Sequence, residues 1–344
     1  SGCILESILK FGEKKQMHLK GTGCDISEEA LKVARENNSR LGTDARFIKS
    51  DLFESVTGKY DMIVSNPPYI RTEEINRLDE EVKLHDPWIA LDGKEDGLYF
   101  YRLIVKDSIR YLNKGGYILF EIGFDQGKDV SELLKNEGYH VWVNPVYCPD
   151  YGIPQTRKRL VLLASRLGNI ELINPTHKPN EYKTVKETIG DLPELKAGET
   201  DKNDPLHRAK ALSPLNLERL HHTPYGGSWK DWPKDLQLRC HKTDNGRSFG
   251  SVYGRMVWEK PAPTMTTQCT GLGNGRFGHP IQDRAISIRE AALIQTFPMT
   301  YKFFADEEYV AITKASRYIG NAVPPRLGEV IAESIICHLT RIVN

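Results

Sequence analysis

The chain has 344 residues with 39% hydrophobic and 27% charged content, the profile of an ordinary soluble protein long enough for two domains. No apolar run is long enough to span a bilayer, no basic leader opens the sequence at Ser1-Gly2-Cys3-Ile4-Leu5, and the six cysteines (3, 24, 148, 240, 269, 337) include no CxxC pair. These features exclude a membrane protein, a zinc site and a disulfide framework, and they predict a cytoplasmic protein without a metal.

A net charge of +1 conceals an asymmetry. Residues 144–344 carry 27 Lys and Arg against 21 Asp and Glu, whereas residues 1–143 carry 20 against 25. Seven of the ten histidines also lie in the second half. A mildly basic second half suits a polyanionic partner, although solvated faces often reach such an excess.

Strand and helix signals alternate from 18 to 166. Strands are predicted at 18–24, 45–49, 60–65, 116–121, 140–147 and 159–165, with helices at 27–39, 97–112 and 124–136. Ser27 followed by Glu28 and Glu29 is a helix start, a capping hydroxyl with acidic residues in the first turn. This alternation predicts an α/β fold with a mostly parallel, doubly wound sheet. From 184 to 284 the chain is rich in Gly, Pro, His and Trp and poor in long apolar runs, and a last helix is predicted at 327–340.

Asn66-Pro67-Pro68-Tyr69 closes the apolar run Tyr60-Asp61-Met62-Ile63-Val64-Ser65. The Asn66 side-chain oxygen, helped by the Pro67 carbonyl, can accept a hydrogen bond from a planar NH2 group, and Tyr69 can stack on a planar amide or base. The same four residues also read as a simple turn. Asp25, at the end of its strand, suits the two hydroxyls of a ribose and equally an N-terminal helix cap.

Residues 1–140 resemble the release-factor glutamine methyltransferases. The resemblance rests on Ser1-Gly2-Cys3, Asp25-Ile26-Ser27, Ser50-Asp51-Leu52, Asn66-Pro67-Pro68-Tyr69-Ile70, Asp86-Pro87, Gly93, Asp96-Gly97-Leu98-Tyr99-Phe100-Tyr101-Arg102 and Phe120-Glu121-Ile122-Gly123. It implies a Rossmann-like domain that uses S-adenosylmethionine, with catalytic Asn66, Pro67, Pro68 and Tyr69. Gly2, Asp25, Ile26, Asp51, Leu52 and Asn66 would bind the cofactor, Asp25 at the ribose and Asp51-Leu52 at the adenine. The family also implies a strand and glycine-rich loop ahead of Ser1-Gly2. That first strand, central in the sheet, is expected to be missing, with cofactor binding weakened.

From about 141 the resemblance shifts to DNA cytosine-5 methyltransferases. Asp150-Tyr151-Gly152-Ile153-Pro154 leads into Gln155-Thr156-Arg157-Lys158-Arg159, followed by Asp191-Leu192-Pro193, Gly226-Gly227-Ser228-Trp229 and Tyr253-Gly254-Arg255. Pro261-Ala262-Pro263-Thr264-Met265-Thr266-Thr267, Arg289-Glu290-Ala291-Ala292, Gln295-Thr296-Phe297-Pro298 and Gly320-Asn321-Ala322-Val323-Pro324-Pro325 complete the series. It implies double-stranded DNA as partner, with Gln155, Arg157, Arg159, Thr266 and Thr267 at the DNA and Asn321 near the cofactor. Guanidinium groups suit bidentate recognition of base and phosphate acceptors, and Arg157 and Arg159 equally read as a solvated charge cluster. A methyltransferase catalytic domain is therefore expected at 1–166 and 313–344, a DNA target-recognition domain at 184–284, and connecting segments at 167–183 and 285–312.

Cytosine-5 methylation needs a thiolate to attack the ring. That family supplies it from a Pro-Cys loop where this chain has Asn66-Pro67-Pro68-Tyr69. Cys148 belongs to the local Cys-Pro-Asp-Tyr-Gly turn and is rejected as nucleophile, while the role of Glu121 is left open. The reading is a composite methyltransferase directed at DNA with compromised catalysis. Its alternatives are a release-factor glutamine methyltransferase and a non-catalytic DNA-binding fragment.

Overall fold

Helix α1 (Cys3–Lys14) is followed by strand β1 (Gly21–Asp25) and helix α2 (Glu28–Leu41). The α2 boundaries follow from local chemistry. Ser27 Oγ accepts the Ala30 N–H at 3.2 Å, and Gly42, in the left-handed region at φ 64°, ends the helix by donating to the Asn38 carbonyl. Leu31 and Ala34 form the buried stripe of α2. Strand β2 (Ala45–Lys49) runs parallel to β1, with Gly21 opposite Ala45 and Asp25 opposite Lys49. Gly23 is required there, because a Cβ would come within 2.6 Å of the Phe47 ring.

Strand β3 (Tyr60–Ser65) leads to two short helices, α3 (Thr72–Ile75) and α4 (Trp88–Leu91), and then to helix α5 (Tyr99–Tyr111) and strand β4 (Leu112–Phe120). β3 and β4 are parallel, with Ser65 opposite Phe120 and a register shift between Tyr60 and Met62. Helix α6 (Gly127–Asn136) packs Val130 and Leu134 against Tyr101, Val105 and Tyr139, so the βα alternation is held by one apolar cluster. Strands β5 (His140–Tyr147) and β6 (Lys158–Ser165) pair with each other.

The structure, a computed structural model, describes residues 2–14, 16–77, 87–123, 125–243, 250–301, 303 and 311–343. Its described strands form three two-stranded sheets where the sequence predicts one doubly wound sheet. The α/β architecture and the parallel pairs stand, but among the described residues β1 bonds only β2, and β3 only β4. Asp86 of the first motif series lies outside the described residues.

By packing, the chain divides into one unit of Ser1–Val143 with Leu162–Ile170 and a second of Asn144–Val161 with Glu171–Asn344. This differs from the expected division, which grouped 313–344 with the first 166 residues. The reason lies in the apolar contacts of that segment. Ala315 and Ile319 belong to a core cluster with Met265, Ile288, Ala291 and Ala292.

The second unit is poor in regular structure, with helices α7 (Val185–Ile189), α8 (Pro214–His221), α9 (Ile288–Ile294), α10 (Ile312–Asn321) and α11 (Pro325–Val343). Buried arginines do much of the joining that a sheet would do elsewhere. Arg255 donates to the carbonyls of Thr223 (2.8 Å), His279 (3.0 Å), Gln282 (2.7 Å) and Leu220 (2.9 Å) and pairs with Asp283. Arg284, fully buried, forms a two-pronged pair with Glu290 at 2.7 and 2.8 Å, while Glu290 also accepts the Ser287 N–H that starts α9. His279 lies 3.8 Å from the same carboxylate, and its Nδ1 accepts the backbone N–H of Gln282 at 3.0 Å.

Burial, more than the nearby arginines, pushes the His279 imidazole down to about 4, against an opposing pull from Glu290. A depressed histidine pKa means that the unfolded chain binds the extra proton first, so stability is present above the unfolded value of roughly 6.5 and falls as pH drops towards 4. Denaturant titrations between pH 7 and pH 4 should show the second unit losing roughly 3 kcal/mol. His279→Gln should flatten that slope, and an unchanged slope would show that His279 is not the group responsible.

Candidate functional site

Each unit gathers a set of the residues singled out in the sequence. In the first unit β3 delivers Asn66 to the surface, Pro67 is buried, and Pro68 and Tyr69 are half-buried. The Tyr69 ring packs on the cluster of Leu98, Tyr101 and Val130. Burial raises its phenol above the ordinary range, and the Glu121 charge raises it further. Glu121 directly follows β4, donating its N–H to the Ser65 carbonyl (3.1 Å) and accepting the Tyr101 hydroxyl on its own carbonyl (2.8 Å). Glu121 reaches solvent, yet the desolvating atoms around its carboxyl hold it above the usual carboxylate range.

The stretch after Tyr69 is tied back to the loop by its own chemistry. The Ile70 carbonyl accepts the Gly93 N–H at 2.8 Å, and the buried Asp92 takes the Thr72 hydroxyl (2.6 Å), the Lys94 N–H (3.0 Å) and the Lys94 ammonium (2.9 Å). Gly93 and Gly97 have no substitute there. A Cβ on Gly93 would sit 2.7 Å from Tyr69 Cα, and one on Gly97 2.5 Å from the Tyr69 oxygen. Both glycines belong to the first motif series. Gln126, whose amide reaches Tyr69 and Gly97, was not singled out, because the quoted match stops at Gly123.

Four of the residues assigned to the cofactor, Asp25, Ile26, Asp51 and Leu52, lie at or just after the ends of β1 and β2. Asp25 accepts the Ser27 N–H on its carboxylate (2.9 Å) and the Ser50 N–H on its carbonyl (3.1 Å), while the cap of α2 itself is Ser27 and not Asp25. Asp51 is exposed, Leu52 takes a positive φ of 46°, and Ile26 is 46% exposed beside Asp25. Gly2, at φ 71°, lies where a Cβ would press on Phe47 at 2.9 Å.

In the second unit the motifs converge on a buried polar centre. Gln155 is fully buried, donates from Nε2 to the Ile294 carbonyl (3.1 Å) and Gln295 Oε1 (2.5 Å), and accepts the Met265 N–H on Oε1 (3.1 Å). Gln295 in turn donates to the Ala322 carbonyl at 2.6 Å. Arg157, 1% exposed, donates to the carbonyls of Met265 (2.8 Å) and Gly320 (3.1 Å). Backbone bonds add to this, with Ala262 paired across to Pro154 and Thr156. Gln155 and Arg157, both expected at the DNA, are thus interior residues of this unit. Both turn inward, the amide and two of the three guanidinium nitrogens bonding to three other segments, while Arg157 Nε is buried without a partner.

Thr266, Thr267 and Asn321 are exposed, and Arg159 is partly so. Gly320 brings the first three together, for a Cβ on it would lie 2.2 Å from the Thr266 carbonyl carbon and 2.3 Å from the Thr267 nitrogen. Cys148 is fully buried, and desolvation pushes its thiol to about 11 with Arg159 pulling the other way. Burial raises Cys269 to about 12. Neither is a thiolate at neutral pH. Among the described residues no helix is long and apolar enough to cross a membrane, and no group of His, Cys, Asp and Glu is arranged to hold a metal.

Residues 125–337 match the family described as C-5 cytosine-specific DNA methylase, and residues 5–81 match the methyltransferase small domain. Type II methylase M.HgiDII of Herpetosiphon aurantiacus is 56% identical over 204 residues, which cover 59% of this chain and 57% of that protein. The release factor glutamine methyltransferase of Agrobacterium fabrum is 49% identical over 141 residues, 40% of this chain and 47% of that protein. The chain thus spans only about half the length of either curated relative, 57% of the first and 47% of the second. A solved mutant of Spodoptera frugiperda DNMT2 aligns over 92% of this chain and 91% of its own, at 15% identity and a TM-score of 0.50, and so shares the Rossmann-like methyltransferase fold.

Gly320→Ala should destabilise the second unit by about 1–3 kcal/mol, because backbone at 266–267 has no flexible end to give way. Gln155→Leu should cost about as much or more, leaving the Met265 N–H and Gln295 Oε1 buried without their Gln155 partner. Thermal melts that match the unsubstituted chain would show that this centre carries little of the fold.

Proposed function

The chain belongs to the C-5 cytosine-specific DNA methylase family, and from that premise we propose that it is a composite S-adenosylmethionine-dependent methyltransferase directed at double-stranded DNA, with an amino-methylating loop in place of a cysteine loop. The observation that carries this reading is the Gln155–Arg157–Gln295 centre, through which the separate motif segments hold one another. Arg159, Thr266 and Thr267 are the side chains left to meet the nucleic acid, and Gln155 and Arg157 serve it by supporting them from beneath. The mild basic excess of 144–344 favours the same partner.

The residues present fit the nucleoside end of S-adenosylmethionine. Asp25 offers a carboxylate to the ribose, and Asp51 and Leu52 would hold the adenine beside Ile26. When bound, this group supplies an electrophilic methyl. Catalysis at a cytosine ring carbon is compromised, because the 66–69 loop carries no thiol and the Cys148 and Cys269 thiols are buried and protonated. The setting is cytoplasmic.

A second reading, protein glutamine N5-methylation with a release factor as partner, is favoured by one observation. The Asn66-Pro67-Pro68-Tyr69 loop is fully built, with its glycines and Asp92 anchor around Tyr69. Isotope transfer from labelled cofactor, with duplex DNA and a release factor as parallel acceptors, separates the two.

Duplex DNA should be retarded by this chain at low salt, and absence of a shift there would sink the DNA reading. Arg159→Ala should weaken binding and reduce the salt slope by about one.

Plasmid DNA co-expressed with this chain should show no bisulfite-protected cytosines. Protection at a fixed motif would overturn the claim that a thiol is lacking.

A further inference from the structure

Gln126 precedes α6 and is 5% exposed. Its Nε2 donates to the Tyr69 carbonyl at 3.0 Å and to the Gly97 carbonyl at 3.1 Å, and its Oε1 accepts the Gly123 N–H at 3.0 Å. One amide thus joins three separate pieces of chain: the end of the 66–69 loop, the 93–97 turn, and the turn after β4 that begins with Glu121. The fit is close on every side. A Cβ on Gly97 would lie 2.6 Å from Nε2, and one on Gly123 would lie 2.8 Å from Oε1.

We propose that Gln126 is a positioning residue for the Asn66-Pro67-Pro68-Tyr69 loop. Its amide fixes the Tyr69 backbone against the turn that carries Glu121, and thereby sets where the Tyr69 ring and the Asn66 amide stand as a planar nitrogen enters. The chemistry it serves rests on the second functional reading; the geometry does not. The task needs two donors and one acceptor on a short planar group, which glutamine supplies. An ionised glutamate offers no donor and turns two carbonyls against a charge. Methionine has the length but neither donor nor a strong acceptor.

The test uses the full chain labelled with 3-fluorotyrosine, the Tyr69 line being assigned through Tyr69→Phe. In Gln126→Met, hydrogen exchange at 69–72 and 93–98 should quicken on the order of tenfold or more, as loss of a buried hydrogen-bonded anchor predicts. The Tyr69 fluorine titration, raised at first by burial and the Glu121 charge, should fall towards that of an open tyrosine. Lines from tyrosines in 144–344 should hold. In Gln126→Glu, the native Tyr69 line position should return in part once the pH is low enough to protonate the new carboxyl, a rescue that a merely space-filling role does not produce. Unchanged exchange and an unchanged Tyr69 titration in both variants overturn the proposal. Failure of methyl transfer to a glutamine peptide in the unsubstituted chain sinks the amide reading instead, and leaves these measurements to decide the role of Gln126.

Discussion

Two side-chain amides, Gln155 and Gln295, meet inside the second unit, and most of what surrounds them depends on that meeting. The unit has little sheet to hold it, so its loops need another source of order. The amides provide it by accepting and donating to backbone at Met265, Ile294 and Ala322, while Arg157 adds Met265 and Gly320. A buried amide is expensive to leave unsatisfied, and this cost is what selects one arrangement of four segments over the many that an apolar cluster alone would tolerate. The ion pair of Arg284 with Glu290 and the crowded guanidinium of Arg255 extend the same logic into 195–290.

The first unit uses a smaller version of this device. Gln126 stands to Tyr69, Gly97 and Gly123 much as Gln155 stands to Ile294, Gln295 and Met265. In both places the side chains proposed to meet a substrate are not the ones that are buried. Asn66, Thr266, Thr267 and Asn321 are open to solvent, and a hidden amide or guanidinium beneath holds the backbone that carries them. Specific chemistry at an exposed loop demands backbone held to a fraction of an ångström, which exposed side chains cannot supply for themselves.

Much of this was legible in the sequence where causes are local. The cap at Ser27, the strand at Tyr60–Ser65 and the loop at 66–69 follow from a few adjacent residues, and the structure places them accordingly. The motif runs at 155–159, 261–267 and 320–325 were also visible. Their division of labour was not. Gln155-Thr156-Arg157-Lys158-Arg159 reads as a charged surface, and only partners 108 and 163 residues away along the chain make Arg157 an interior residue. The split of the strands into separate pairs was hidden for the same reason, since which edges meet is decided by the whole unit. Gln126 escaped notice because a lone glutamine ahead of a helix has no local signature of burial.

The polar centre of the second unit has a further property. Gln155, Arg157 and Gln295 draw every side-chain partner named above from within 144–344. This half therefore carries its own internal wiring, and a crossover upstream of residue 144 leaves that wiring intact. A segment built this way is inheritable as a cassette. Those buried bonds hold whatever chain precedes residue 144.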